Sequence, residues 1–203
     1  IQNAKGGYGL TGDGELAAVM DNNFNTSHDD FDGSDRTVTA VGTITSANSS
    51  SYHGAAVSGI LAADNDGAGV VGVADKADLR LCELGSITST AGFNTLTTCV
   101  NDFTSNSAVV MNQSWGLNWF NADDLDAYIS TFPGNTVTEL FQFGLTDYLD
   151  YNNTDDSWMD VDGSLNTTMQ TAITNYITAL NNFQANGVVV QSNSNITTEV
   201  DAD

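Results

Sequence analysis

The sequence predicts an α/β fold, a doubly wound and mostly parallel sheet with helices on both faces. Three observations carry that prediction. Short, continuously apolar runs at Leu16–Met20, Leu79–Leu84, Val109–Met111 and Gly187–Gln191 have the length and composition of strands covered on both sides. Segments with helical spacing of apolar residues lie between them, and this alternation is the pattern of parallel crossover units. Asp21, Ser114 and the pair Asn193 and Asn195 all fall at the carboxyl ends of such runs. In open α/β sheets, binding and catalytic groups gather outside the carboxyl ends of the strands.

Each element follows from its residues. Gly7-Tyr8-Gly9-Leu10-Thr11-Gly12 has the letters of a dinucleotide loop but precedes a strand, so it reads as a glycine-rich lead-in. Leu16–Met20 is the first strand, and Asp21 sits at its carboxyl end. Residues 22–52, rich in Asn, Asp, Ser, Thr and Gly, read as surface loops with one short strand at Arg36–Gly42. From His53 onward Val57, Ile60, Leu61 and the neighbouring alanines follow helical spacing, which predicts a buried helix with His53 at its amino end and close packing at Gly54 and Gly59. A tight loop with three glycines, Asp64–Ala74, leads to the strand at Leu79–Leu84. A helix near Thr95–Phe103 and the strand at Val109–Met111 follow, the latter ending in Asn112-Gln113-Ser114-Trp115-Gly116. Residues 117–163, dense in aromatic and acidic groups, read as an inserted subregion with weak helical pieces. A helix over Ser164–Gln184 and the Gly187–Gln191 strand close the pattern. There are no internal repeats and no linker, so residues 1–203 form one domain or a large part of one.

The chain has 203 residues, with 4 basic against 26 acidic side chains and a net charge of −22. That charge would repel nucleic acid and anionic membrane, leaving cations, metal ions included, as partners. Apolar residues make up 40% of the chain and stand in blocks, which excludes a disordered acidic tail. No run has the length needed to span a bilayer, and no signal segment opens at Ile1, so either none existed or it was removed with a pro-segment. Scarce Lys beside abundant Asp, Asn, Ser, Thr and Gly points to a surface suited to salt water or to calcium-rich surroundings outside the cell. Cys82 and Cys99 could form a disulfide there or remain two small buried thiols.

A histidine that acts as general base needs a carboxylate on its other ring nitrogen, to hold the tautomer and stabilise the imidazolium. Asp21 at a strand end and His53 at a helix start could meet that need. Spacing alone leaves open that Asp21 caps a loop and His53 caps a helix.

Beyond these readings, Thr11-Gly12-Asp13-Gly14-Glu15-Leu16-Ala17-Ala18-Val19-Met20-Asp21 resembles the strand that delivers the catalytic aspartate in subtilisin-like serine peptidases. His53-Gly54-Ala55-Ala56-Val57-Ser58-Gly59-Ile60-Leu61-Ala62-Ala63 resembles their histidine helix, particularly in relatives of proprotein convertases and autotransporter peptidases. The resemblance runs from Thr11 to Gly116 and resumes at Gly187. It implies that Asp21 orients His53, that His53 is the general base, and that Ser114, Trp115 and Gly116 line a groove where an extended peptide pairs through its backbone. It also implies an oxyanion-holding asparagine, Asn195 or its competitor Asn193. A calcium site is implied at Asp30 and Asp66 with the backbone carbonyls of Asp64, Ala68 and Val70, an all-oxygen set suited to that ion. His28 falls at a position with no catalytic role. Trp115, Trp119, Phe120, Trp158 and Met159 could line the substrate site but more simply pack the insertion.

The sequence departs from the family pattern in three places. Ala55 stands where a threonine is usual, residues 196–203 do not follow the usual pattern, and the Gly-Thr-Ser motif that carries the nucleophile is absent. The expectation is therefore the amino-terminal portion of a secreted, calcium-stabilised serine endopeptidase, inactive without a serine beyond residue 203. Its partners would be a peptide or protein substrate and the rest of the catalytic domain. The competing expectation is a non-catalytic binding or structural module on a subtilisin-like scaffold.

Overall fold

The computed structural model describes residues 9–44, 52–84, 90–115 and 167–192. The insertion expected at 117–163, as well as Gly116, Asn193 and Asn195, lies outside these residues.

Among the described residues, five strands form one sheet in the order β2-β3-β1-β4-β5, and every pairing is parallel. The strands are β1 at Leu16–Asp21, β2 at Val38–Val41, β3 at Asp78–Glu83, β4 at Val110–Gln113 and β5 at Val188–Gln191. The helices are α1 at His53–Ala62, α2 at Thr90–Ser105 and α3 at Thr167–Gln184. A short 3-10 turn at Asp29–Phe31 interrupts the loop after β1. The strands and helices expected within the described residues are present, but β5 is not covered on both sides as expected, with Val188 and Val190 exposed. Helix α2 begins earlier than the apolar spacing predicted, because Gly92 and Phe93 already pack into the core.

Period-two alternation divides β1 between two cores. Ala18 and Met20 face Phe93, Leu96, Phe103, Ile173, Tyr176 and Phe183 of α2 and α3. Ala17 and Val19 face the opposite cluster, with Phe24, Phe31, Leu79, Leu81 and Ala62 at the end of α1. Asp21 shares the parity of Ala17 and Val19, so it points to the α1 side.

The placement of α1 fixes the hand of its crossover. The connections β2-α1-β3, β3-α2-β4 and β4-α3-β5 all move across the sheet in the same direction. Two of their helices lie on one face and α1 lies on the other, so β2-α1-β3 has the opposite hand. Since about 98% of parallel crossovers are right-handed, β2-α1-β3 is the left-handed one.

Helix α1 is less buried than its composition predicted. Gly54, Ser58, Gly59 and Ala62 are buried, but Ile60 is 71% exposed beside the exposed Val70, Val71 and Val73 of the following loop. Gly54 is the glycine that close packing demands, since a Cβ there would lie 2.6 Å from the Asn22 carbonyl and 2.8 Å from the Phe24 ring. At Gly59 the nearest atom would be a Val70 methyl at 3.8 Å, an ordinary contact, so that glycine is not required by space.

Each described cation is tied to a carboxylate. Arg80 on β3 grips Asp102 on α2 with two hydrogen bonds, Lys76 lies 3.1 Å from Asp35, and Arg36 pairs with Asp64. Cys82 on β3 and Cys99 on α2 form a disulfide across a sequence separation of 17, buried between sheet and helix. A crosslink closing a loop of that size stabilises a fold by about 3 kcal/mol. Reduction, or the double change Cys82→Ala and Cys99→Ala, is expected to lower unfolding free energy by about that amount, read as a reduced urea midpoint.

Candidate functional site

The site lies at the carboxyl end of β1, next to the amino end of α1. Asp21 is buried, with a side chain 3% exposed, whereas the His53 side chain is 54% exposed. His53 Nδ1–H donates to Asp21 Oδ1 at 2.7 Å, and the same oxygen accepts the Asn22 N–H at 2.7 Å. The desolvated carboxylate thus sets the tautomer and leaves Nε2 as the ring's acceptor, the arrangement required of a general base. Asp21 Oδ2 is buried and has no hydrogen-bond partner among the described residues.

The backbone explains why the imidazole stands there. No side chain caps α1, and Tyr52 at its N-cap is left-handed, with φ of 44°. The amide groups at the helix start are instead bonded by carbonyls that follow β1, Gly54 N–H to Asn22 O at 2.6 Å and Ala55 N–H to Asn23 O at 3.3 Å. The strand end and the helix start thus bond each other directly.

Ser114 and Trp115 follow β4, which pairs with β1 so that Val19 stands opposite Asn112. Continuing that register brings Ser114 level with Asp21 at the same end of the sheet. Ser114 Oγ donates to Asn112 Oδ1 at 2.8 Å. The Trp115 carbonyl accepts from the Gln191 side chain, and its ring packs against the α2 and α3 core. Trp115 is therefore partly a packing residue.

The residues expected to hold calcium are brought together in part. Asp30 reaches the loop after α1 so closely that a Cβ on Gly69, where φ is +57°, would fall on its carboxylate. Asp66 Oδ1 accepts the Ala68 N–H at 2.9 Å and shapes that loop. The Asp64 carboxylate is engaged elsewhere, by Gly33 N–H at 2.6 Å and Arg36 Nε at 2.7 Å, so only its carbonyl could serve a metal. Among the described residues no three carboxylate, imidazole or thiol groups converge, so a site here would depend on backbone oxygens as well as Asp30. That donor set fits calcium. His28 acts in local structure: its Nδ1 accepts the Asp30 N–H at 3.2 Å and caps the 3-10 turn.

A sequence model of the subtilase family matches residues 12–202. The chain belongs to the subtilase family. Among solved structures, it is similar to the prenylagaramide maturation protease PagA, at 21% identity and a TM-score of 0.48, covering 75% of this chain and 48% of that one. It is also similar to fervidolysin from Fervidobacterium pennivorans, a keratinolytic enzyme related to subtilisin, at 22% identity and a TM-score of 0.41, covering 70% of this chain and 21% of that one. This subtilase chain thus spans less than half the length of either structure. No curated protein matches it.

Sequence reading missed the contacts of two buried polar residues, Arg36 and Tyr176. Arg36 was legible as one of only four basic residues. Tyr176 lies on α3, and its hydroxyl donates to Gln113 Oε1 at 3.2 Å beneath the end of β4, a pairing across the fold that no local pattern announces. Burial pushes the Tyr176 phenol far above its ordinary value of 10.0. The unfolded chain therefore ionises Tyr176 at lower pH than the folded chain, so this contribution is complete below about pH 10 and lost as pH rises beyond it. Stability is expected to fall more steeply above about pH 10 in the wild type than in Tyr176→Phe, as measured by denaturant unfolding across alkaline pH.

Proposed function

We propose that this chain supplies the aspartate and histidine of a secreted serine endopeptidase that hydrolyses peptide bonds through an Asp-His-Ser triad. The 2.7 Å bond from buried Asp21 to half-exposed His53 carries this reading. In it, His53 Nε2 takes the proton of an attacking serine hydroxyl, the serine oxygen adds to the scissile carbonyl, and His53 returns the proton to the departing amine. Asp21 stabilises the transient imidazolium. Asn195, with Asn193 as the other choice, holds the oxyanion, a donor worth about 3 kcal/mol in such sites. Ser114, Trp115 and Gly116 line the path of the extended substrate.

The serine is expected beyond Asp203, because the sequence contains no Gly-Thr-Ser motif. Val188 and Val190 of β5 are 61% and 48% exposed, and they share the face of Val110, which borders the α1 core. The disulfide suits an oxidising environment outside the cell. Among the described residues no helix is long and apolar enough to cross a membrane.

In the full-length protein, Asp21→Asn is expected to lower kcat about 10⁴-fold through the wrong histidine tautomer, and His53→Ala to leave only background peptide hydrolysis. Near-normal turnover in either variant would defeat the assignment. Ala55 and the missing serine motif favour a second reading, a non-catalytic module on the same scaffold. Labelling of the intact protein by a fluorophosphonate supports the peptidase, whereas an intact gene product without a Gly-Thr-Ser segment supports the module.

Calcium at Asp30, Asp66 and the carbonyls of Asp64, Ala68 and Val70 would brace the loop that follows α1. With calcium at roughly a hundredfold its Kd, chelation is expected to lower stability by about 2.7 kcal/mol and to reduce Tm, and Asp30→Asn should abolish that response. A chelator that leaves Tm unchanged argues against the site.

A further inference from the structure

We infer that Arg36 is a positioning residue for His53, acting through the length of α1. This rests on the reading of Asp21 and His53 as the catalytic pair.

The Arg36 side chain is wholly buried, the only described cation so placed: the side chains of Lys76 and Arg80 are 43% and 21% exposed. Its guanidinium addresses three places at once. Nε lies 2.7 Å from Asp64 Oδ1, Nη2 donates to Asp30 O at 2.6 Å, and Nη1 donates to Ala62 O. The plane also stands 5.6 Å from the centre of the Phe31 ring. Ala62 is the last residue of α1, and His53 is the first.

The carbonyls at the end of α1 show what this contact does. Ile60 O accepts from Val73 N–H, Leu61 O from Ala74 N–H and Ala63 O from Gly72 N–H, at 3.0, 2.8 and 3.0 Å. Ala62 O is the one in that row satisfied by a side chain, and its donor is Arg36, a cation at the negative end of the helix dipole. The other end of α1 is held by Asn22 O and Asn23 O. Both fastenings come from the single segment between β1 and β2. The ten-residue helix is thus fastened at one end by Arg36 together with the backbone amides of Gly72, Val73 and Ala74, and at the other by the residues that follow the strand carrying Asp21.

A lysine cannot copy this clamp. One ammonium reaches a single partner well, whereas the planar fork spans two carbonyls and a carboxylate. Loss of the clamp frees α1 to shift along its axis, and a shift of about 1 Å at a catalytic group can cost about 10²-fold in rate.

The test compares full-length wild type, Arg36→Lys and Arg36→Met by two readouts. The first is the low-field proton resonance of the hydrogen bond from His53 Nδ1 to Asp21, which reports the pair whether or not peptide is cleaved. The second is kcat and KM. Folding is verified by circular dichroism at the same temperature. We expect the resonance to broaden or vanish in folded Arg36→Lys, with kcat lowered about 10²-fold and KM within about twofold. Arg36→Met, where folded, should behave likewise. A sharp wild-type-like resonance with unchanged kcat in either folded variant overturns the inference. So does failure of both variants to fold, which makes Arg36 a folding residue only. If wild type shows the resonance but cleaves no peptide, the peptidase reading fails and the resonance alone decides the role of Arg36.

Discussion

The hydrogen bond between His53 and Asp21 exists only because α1 crosses on the face of the sheet to which Asp21 points. Strand parity fixes that face, since Asp21 follows Ala17 and Val19 while Ala18 and Met20 turn toward α2 and α3. A right-handed crossover from β2 to β3 would have carried α1 to the other side, leaving a desolvated carboxylate without an imidazole. The uncommon hand of this one connection is thus the constraint on which the site depends. Such a connection needs specific support, and it is found in the backbone bonds that join Asn22 and Asn23 to Gly54 and Ala55.

That support is built by a chain with few cations. With a net charge of −22, the protein has little positive charge to distribute, and the described part places it at joints between elements. Arg80 joins β3 to α2, beside the disulfide that makes the same connection, and Arg36 joins the loop after β1 to the end of α1. The buried pair of Arg36 and Asp64 carries a desolvation cost that ordinary packing would avoid. The same cluster borders the loop proposed to hold calcium, because Asp30 gives its carbonyl to Arg36 and presses its carboxylate against Gly69. Helix position and loop shape share these atoms.

Much of this architecture was legible in the residues themselves. The apolar run at Leu16–Met20 read as a covered strand, Asp21 ended it, and the spacing after His53 was helical. These properties are local, because period and composition report which faces of an element are buried. The same logic erred where burial depended on distant neighbours. Ile60 looked like core but is largely exposed, and Gly59 looked like a close contact but is not.

By itself, then, the sequence determined the strands, the helices and the parallel α/β class, since each rests on short-range periodicity, whereas Asp21 and His53 were paired only through a family resemblance because their spacing alone left a capping role open. The tertiary structure decided which face α1 occupies, which cysteines and cations tie which elements, and that His53 meets Asp21 at 2.7 Å. The physical reason is that crossover hand and clamp contacts depend on residues far apart in the chain, such as Arg36 with Ala62 and Tyr176 with Gln113, whose meeting leaves no periodic mark on either segment.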